Sequence, residues 1–363
     1  MPTACIIDGF SGCMLNSWDS QLFHKFFAMN NWKVVSDWKD ADLVLLNTCA
    51  FVKSVEDKVV QRIIEIKAEL RQNQRMVVAG CFPKINDERL REIFEGVSFG
   101  PRENTQLNKI IDAQVKIEDV RINRLEEQYL NGAPSSRFYI KIEDGCLGNC
   151  SFCAIKAAKG NLKSIEPERI LEQFRKGREV GYKEFVLLGD DIGCYGRDIR
   201  TNLVELLKRI VQQDGEFYLF LHFVQPNWFL DMIDGFRDVF ATGKVTVLNI
   251  PIQSGNDRVL RLMRRPYSMK EVLPVMQKIK AEFPSVLLQT HVIVGFPGET
   301  YAEFLDSLEA AKYFDVVKFF GFSERPGRKS VLSSEAKLHR QAAFGLIEGQ
   351  IEEGKGTYLI VQG

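Results

Sequence analysis

The 363-residue sequence carries no net charge, 48 Lys and Arg standing against 48 Asp and Glu. That balance supplies no long-range field to draw the chain onto phosphate backbones or anionic membranes, which excludes a general nucleic-acid coat protein and leaves only a local basic patch open. A long uninterrupted apolar run is also missing. The start, MPTACIIDGF, lacks a charged segment followed by a continuous apolar core, and stretches such as 217–230 are broken by His, Gln, Pro and Asn. Neither an export signal nor a membrane span is expected. Internal repeats and low-complexity tracts are absent as well. These absences lead to a cytoplasmic chain without a membrane partner, too long for one ordinary domain of about 150 residues. What is present is cysteine. Eight thiols in a chain with no export signal are expected as metal ligands, nucleophiles or small core residues rather than as disulfides.

The first hundred residues alternate strand-like and helix-like patterns: strands at 4–7, 32–35, 43–46 and 76–79, helices near 20–29 and 55–70. This rhythm predicts an open parallel α/β sheet in an N-terminal domain, residues 1–130. Turn formers in Asn131-Gly-Ala-Pro-Ser-Ser predict a linker over 131–136. Beyond it, strands are expected at 138–142, 184–188, 217–223, 245–250, 286–294 and 316–322, with helices at 168–180, 203–213, 228–240, 270–283, 302–314 and 333–353. Six βα units in succession predict a partial (β/α)6 barrel over 137–354, with its site at the carboxyl ends of the strands. Residues 355–363 are expected as a short tail.

Cys146, Cys150 and Cys153 form C-x3-C-x2-C directly after the first barrel strand. Three thiolates on one tight loop suit a cubane iron–sulfur cluster, since they hold three irons and leave the fourth open to an exchangeable ligand. Zinc would call for a fourth protein ligand in paired clips, and no second clip lies nearby. Three unrelated core thiols fit poorly, because Gly145, Gly148 and Asn149 make this segment a turn. Gly189-Asp190-Asp191 and Ile293-Val-Gly-Phe-Pro-Gly-Glu end the second and fifth strands, where glycines let a ligand approach the backbone.

With these residues the chain resembles the radical S-adenosylmethionine (SAM) superfamily, and more narrowly the methylthiotransferases. The blocks that carry the likeness are 139–153, 251–265 and 292–300, together with Gly12-Cys13, Asn47-Thr48-Cys49 and Gly80-Cys81, which resemble the family's three single-cysteine motifs. The resemblance implies two [4Fe-4S] clusters, one on Cys146, Cys150 and Cys153 and an auxiliary one on Cys13, Cys49 and Cys81. Taken singly, each of the latter cysteines reads as a small buried thiol. The resemblance further implies that the first cluster passes an electron to SAM, giving methionine and a 5′-deoxyadenosyl radical that removes hydrogen from an unactivated carbon. The second then supplies sulfur, which a further SAM methylates. By position Phe152 and Val294 border the adenine, Gly189 and Asp190 line the SAM amino-group site, and Gln253 lies at the fourth strand end. Arg264 and Arg265 could orient a carboxylate or form a solvated helix end. His222 and His291 read as hydrogen-bonded core residues, Cys5 as strand core, and Cys194 as either packed or cavity-facing.

Departures from the family pattern set the substrate expectation. Residues 355–363 are expected to be too few for the TRAM domain that usually ends such proteins. Asp190 and Asp191 replace an uncharged amide pair, Val224-Gln225-Pro226 replaces Ser-His-Pro, and Ala157-Ala158-Lys159-Gly160 replaces an arginine-bearing loop. Carboxylates at the barrel mouth would repel phosphate, so the expected substrate is a peptide or small molecule, with methylthiolation of an adenosine-type base in tRNA as the alternative and a non-catalytic iron–sulfur carrier as a further one. A one-electron reductant of flavodoxin or ferredoxin type and a sulfur or cluster donor are expected partners.

Overall fold

The computed structural model describes residues 1–9, 13–130, 135–327, 341–348 and 357–361. The chain divides into two compact units, Met1–Ser135 with Cys153–Gly160, and Ser136–Phe152 with Asn161–Gly363. Residues 131–134 of the expected linker lie outside the described residues.

In the first unit, β1 (Thr3–Gly9), β2 (Lys33–Val34), β3 (Leu43–Thr48), β4 (Arg75–Gly80) and β5 (Val97–Phe99) form a parallel sheet in the order β2-β1-β3-β4-β5. Every residue of β3 is buried because both faces of the sheet are covered, which is why Leu43–Leu46 is a continuous apolar run. Leu43 and Leu45 join Phe23, Phe26 and Phe27 of α1 (Met14–Met29), whereas Val44 and Leu46 join Val59, Ile63 and Ile66 of α2 (Lys53–Glu69). Three short helices follow, α3 (Phe82–Ile85), α4 (Asp87–Ile93) and α5 (Gln106–Ile110), and α6 (Ile155–Lys159) belongs to this unit too, setting Ala154 and Ala158 in the apolar cluster of Cys81 and Phe82. Helix α1 begins at Met14, well before the expected Ser20. The turn-forming Asn16 and Ser17 are buried and donate to Asp8, at 2.7 and 3.2 Å, so tertiary hydrogen bonds override their weak helix propensity.

In the second unit, β6 (Arg137–Lys141) is followed by a small antiparallel pair, β7 (Glu143–Asp144) with β8 (Lys163–Ser164), then by β9 (Glu184–Leu188), β10 (Tyr218–Leu221), β11 (Val245–Asn249), β12 (Leu287–Val294), β13 (Val316–Gly321) and β14 (Thr357–Val361). The large sheet is parallel throughout, in the order β6-β9-β10-β11-β12-β13-β14. Helices α7 (Pro167–Glu179), α8 (Leu203–Val211), α9 (Pro226–Asp231), α10 (Ile233–Phe240), α11 (Asp257–Leu262), α12 (Met269–Glu282) and α13 (Tyr301–Ala311) alternate with the strands, and their apolar sides share one core with one face of the sheet. This is the expected parallel α/β sheet followed by a partial barrel.

Several elements differ from expectation. The supposed tail 355–363 contains β14, a seventh strand paired with β13 from Val316↔Thr357 to Phe320↔Val361. The edge of β13 offers unpaired backbone groups, and Tyr-Leu-Ile-Val fits a pleated surface. The single helix expected at 228–240 breaks at Met232 into α9 and α10, and α11 was not anticipated. Of the last expected helix only 341–348 is described, and it is helical. No helix among the described residues is long and apolar enough to cross a membrane.

Candidate functional site

In the first unit the three cysteines follow three adjacent strands. Cys13 comes after β1, Cys49 directly after β3 and Cys81 directly after β4, so all stand at the carboxyl edge of the sheet. A polar network fixes their loops. Asn47 Nδ2 donates to Asn16 O and Ser20 Oγ, both at 2.9 Å, Thr48 Oγ1 donates to Ala79 O at 2.6 Å, and Cys81 N donates to Thr48 O at 2.8 Å. Gly80 has φ +95°, and a Cβ there would lie 2.7 Å from Thr48 N and closer still to Thr48 O, so only glycine permits this approach of β4 to β3. Gly12, the remaining motif glycine, lies outside the described residues.

The thiols respond to one another. The Cys49 thiol is held well above its ordinary range, first by its hydrogen bond with Cys13, then by burial and by the charges of Cys13 and Cys81. Cys13 occupies the N-cap position of α1. A buried thiol whose ionisation two neighbouring thiols oppose belongs to a donor set that an iron core would neutralise. Among the described residues no three His, Cys, Asp or Glu converge on a single metal-ion position. A lone ion needs its sulfurs about 2.3 Å from one point, whereas a cubane takes each thiolate on a different iron. Three thiols on three loops of one sheet edge are a donor set of the kind a cubane takes, one per iron. Lys159, buried, pairs with the buried Asp19 at 3.6 Å.

In the second unit the cysteine loop leaves β6 through Gly145, whose φ of +73° suits the turn and whose N–H donates to Asp190 Oδ2 at 2.6 Å. Cys146 and Cys150 flank Gly148, their sulfurs 3.7 and 3.6 Å from where its Cβ would be. Ser151 fastens the loop to the end of α11, through N to Met263 O at 3.0 Å and Oγ to Leu262 O at 2.9 Å. Cys153 opens the segment that belongs to the first unit. Phe152 packs edge-on against Phe296 at 6.4 Å, with the Arg265 guanidinium 5.4 Å from its ring centre. Gln253 has a left-handed φ of +66° and bridges β12, its N–H donating to His291 O and its carbonyl accepting from Ile293 N, both at 2.8 Å. A strained non-glycine held at a strand end is the kind of outlier that marks a ligand site.

Sequence reasoning missed Glu143. It is fully buried behind Gly189, where a Cβ would stand 2.7 Å from its Cδ and closer to Oε1. Its Oε1 accepts from Asp191 N at 2.9 Å, while Oε2 has no partner among the described residues. Burial, then the nearby Asp190 charge, push its carboxyl well up. An orphaned carboxyl oxygen beside Gly189 and Asp190 fits the ammonium group of an amino-acid cofactor. Alternation along β6 puts Tyr139, Lys141 and Glu143 on one face, a signal that could have revealed it.

Two expectations need correction. Val294 is fully buried in the core shared with the helices, because alternation along β12 sends Val292 and Val294 that way; the neighbouring Ile293 is the residue that packs with Phe152 and Phe296. Only the Val294 backbone could border a ligand. The carboxylates of Asp190 and Asp191 are not a free negative rim either. Asp191, 2% exposed, accepts from Gln225 N at 3.2 Å, Gln225 Nε2 at 2.6 Å and Trp228 Nε1 at 2.9 Å. Burial raises its carboxyl to about 6, against the lowering effect of those hydrogen bonds and of Arg265. The Arg265 guanidinium donates to Gln225 Oε1. Cys194 is packed, its thiol donating to Asp191 O at 3.1 Å.

Residues 140–311 match the Radical SAM superfamily, and residues 7–100 match the group described as Uncharacterized protein family UPF0004. A probable threonylcarbamoyladenosine tRNA methylthiotransferase from Pyrococcus horikoshii is 32% identical over 334 residues, covering 87% of this chain and 76% of the relative. The chain belongs to the radical SAM methylthiotransferase family. A ribosomal protein uS12 methylthiotransferase from Thermodesulfovibrio yellowstonii is likewise 32% identical over 329 residues, covering 88% of this chain and 75% of that one. The fold is shared with the solved radical SAM methyltransferase TsrM from Kitasatospora setae, with a TM-score of 0.61 at 14% identity, over 88% of this chain and 73% of that chain. This methylthiotransferase is thus a transferase whose chemistry draws on SAM and a [4Fe-4S] cluster.

Proposed function

We propose that this methylthiotransferase places a methylthio group on threonylcarbamoyladenosine in tRNA, with one cluster on Cys146, Cys150 and Cys153 and a second on Cys13, Cys49 and Cys81. The observation that carries the substrate is the Pyrococcus horikoshii relative, named for this nucleoside and similar across both units. Of the two carboxylates behind the peptide or small-molecule expectation, Asp191 is buried among donors and Asp190 accepts from the cysteine loop, which supports reading them as parts of the SAM site rather than as a rim that repels phosphate.

When bound, the two clusters supply the electron that cleaves SAM and the sulfur that is transferred. The chain's own residues do the rest. Glu143 and Asp190 hold the SAM ammonium, Phe152 and Ile293 give its adenine an apolar wall, and the left-handed Gln253 keeps the fourth strand end open to the ligand. Arg265, Gln225 and Asp191 form a buried brace under Gly148 that keeps the cysteine loop in place and water out. A reductant of flavodoxin or ferredoxin type, a sulfur donor and a cytoplasmic location complete the reading.

A second reading is methylthiolation of ribosomal protein uS12, favoured by the Thermodesulfovibrio yellowstonii relative. Anaerobically reconstituted enzyme given SAM, a reductant and either threonylcarbamoyladenosine-bearing tRNA or uS12 separates the two. Mass spectrometry should find methylthio addition on the tRNA nucleoside; addition to uS12 alone would overturn the tRNA reading.

A further inference from the structure

Opposite the helix-packed core, the barrel sheet carries polar side chains where an enclosed surface would ordinarily be apolar. Strand alternation places Val317 and Phe319 in the core and sends Lys318 and Phe320 to the other face; it likewise separates Val292 in the core from His291 on that other face. Register pairs His291 directly with Lys318. Asn249 ends β11 beside them, its Nδ2 lying 3.2 Å from His291 Nε2. His222 follows β10, and Phe223 comes next with a left-handed φ of +61°. The Phe223 ring centre lies 6.0 Å from that of His222 and 5.6 Å from that of His291, while Phe320 lies 5.1 Å from His291.

Charge on this face is unbalanced. Arg137 is paired with Glu184 at 2.9 Å and Lys141 with Asp144 at 2.7 Å, whereas Lys318 has no ion-pair or hydrogen-bond partner among the described residues. Asn249 is 1% exposed, yet its Oδ1 also has no partner there. Burial, reinforced by Lys318, lowers His222 to about 4 and His291 to about 3, so both imidazoles are neutral at neutral pH and offer a donor and an acceptor rather than further charge. One cation, one orphaned amide oxygen and flanking aromatic rings make a surface that accepts a planar group bearing a single carboxylate.

We infer that Lys318, framed by Asn249, His291 and Phe223, is a carboxylate-binding subsite that takes the free carboxylate of the threonylcarbamoyl group. This rests on the tRNA reading above. Threonine joined through its amino group to a carbamoyl keeps its carboxylate and hydroxyl, so the nucleoside carries an anion that plain adenosine lacks. The carboxylate meets the Lys318 ammonium, and the threonine hydroxyl can donate to Asn249 Oδ1. SAM also has a carboxylate, and the test separates the two sources.

The full chain, reconstituted anaerobically with SAM and reductant, is given tRNA bearing threonylcarbamoyladenosine and the same tRNA with the threonyl carboxylate capped as an amide. For the unaltered enzyme kcat/KM should be about ten- to hundredfold lower on the capped tRNA, as for loss of one charge-assisted hydrogen bond. Lys318→Met should bring the two tRNAs to the same low value, and Lys318→Arg should restore part of the preference. Equal rates on both tRNAs by the unaltered enzyme would remove the subsite while leaving the tRNA reading intact, and this comparison needs no variant to fold. A Lys318→Met defect confined to the KM for SAM would assign the lysine to SAM and overturn the inference. Modification of uS12 with neither tRNA modified would remove the tRNA reading and the subsite with it.

Discussion

Gly80→Ala is the sharpest perturbation of the auxiliary site. Gly80 pairs with Thr48 across β4 and β3, one residue before Cys81. An alanine there must hold a left-handed φ of +95°, at about 1–2 kcal/mol. Its Cβ also meets backbone atoms, Thr48 N at 2.7 Å and Thr48 O closer, which cannot swing aside as a side chain would. Relief requires β4 to draw back, loosening the 2.8 Å bond from Cys81 N to Thr48 O, for about another 1 kcal/mol. The sum, about 2–3 kcal/mol, should lower the unfolding midpoint of the first unit by roughly 6–10 °C. Because Cys81 moves with the strand end, iron after anaerobic reconstitution should fall from about eight to about four per chain, with 5′-deoxyadenosine formation retained and methylthio transfer lost. Gly181→Ala is the control: φ there is +94° and nothing lies within 4 Å of its Cβ, so only the backbone cost remains. Full iron in Gly80→Ala, or the same midpoint in both variants, would refute the close-approach argument.

Cys150→Ala should abolish 5′-deoxyadenosine formation while leaving about half of the iron, and Cys49→Ala should do the reverse, keeping SAM cleavage but losing methylthio transfer; iron analysis and product chromatography read both. The buried histidines give a pH dependence. His222 has its folded pKa lowered to about 4, so between about 6.5 and 4 the unfolded chain binds the extra proton and stability falls as pH drops through that window. The full effect is about 3 kcal/mol, and His222→Asn should flatten the slope of unfolding free energy against pH; an unchanged slope would refute the assignment. Lys318 and Arg137 face His222, and His291 titrates lower still.

Long apolar periodicity made the two sheets legible, since β3 and β12 can bury their sides only by packing against helices. The cysteine loop was legible because three thiols and two glycines within nine residues have few other uses. What escaped the sequence was decided by partners distant along the chain. The start of α1 depends on Asp8 accepting from Asn16 and Ser17, and β14 depends on an open edge at β13. Val294 was misplaced because one step along a strand reverses the face, so a motif position settles the backbone while the side chain turns away. Glu143 looks like any charged residue after a strand until its orphaned oxygen is seen behind Gly189.

Asp191 and Gln225 were two separate departures from the family pattern, each read as altered substrate chemistry; in the fold they are one hydrogen-bonded unit. Burial alone would make an Asp191 carboxylate costly, and Gln225 and Trp228 supply donors that keep it tolerable. Gln225 in turn accepts from Arg265, and its Nε2 lies 3.2 Å from the place a Gly148 Cβ would take, between the sulfurs of the cysteine loop. If these residues act as a unit, exchanging their chemistry together should hurt less than exchanging either alone. Asp191→Asn sets an amide NH2 against the Gln225 and Trp228 donors and should cost about 2–3 kcal/mol, and Gln225→Glu sets two carboxylates side by side for a similar loss. In the double variant the new amide at position 191 donates to the new carboxylate at position 225, Arg265 also meets that carboxylate, and only Trp228 stays opposed. Unfolding free energies should then show about 1–2 kcal/mol of recovery relative to the sum of the singles, with SAM cleavage recovering in parallel. Strict additivity would mean that the brace is not a unit and that the two departures answer to separate demands.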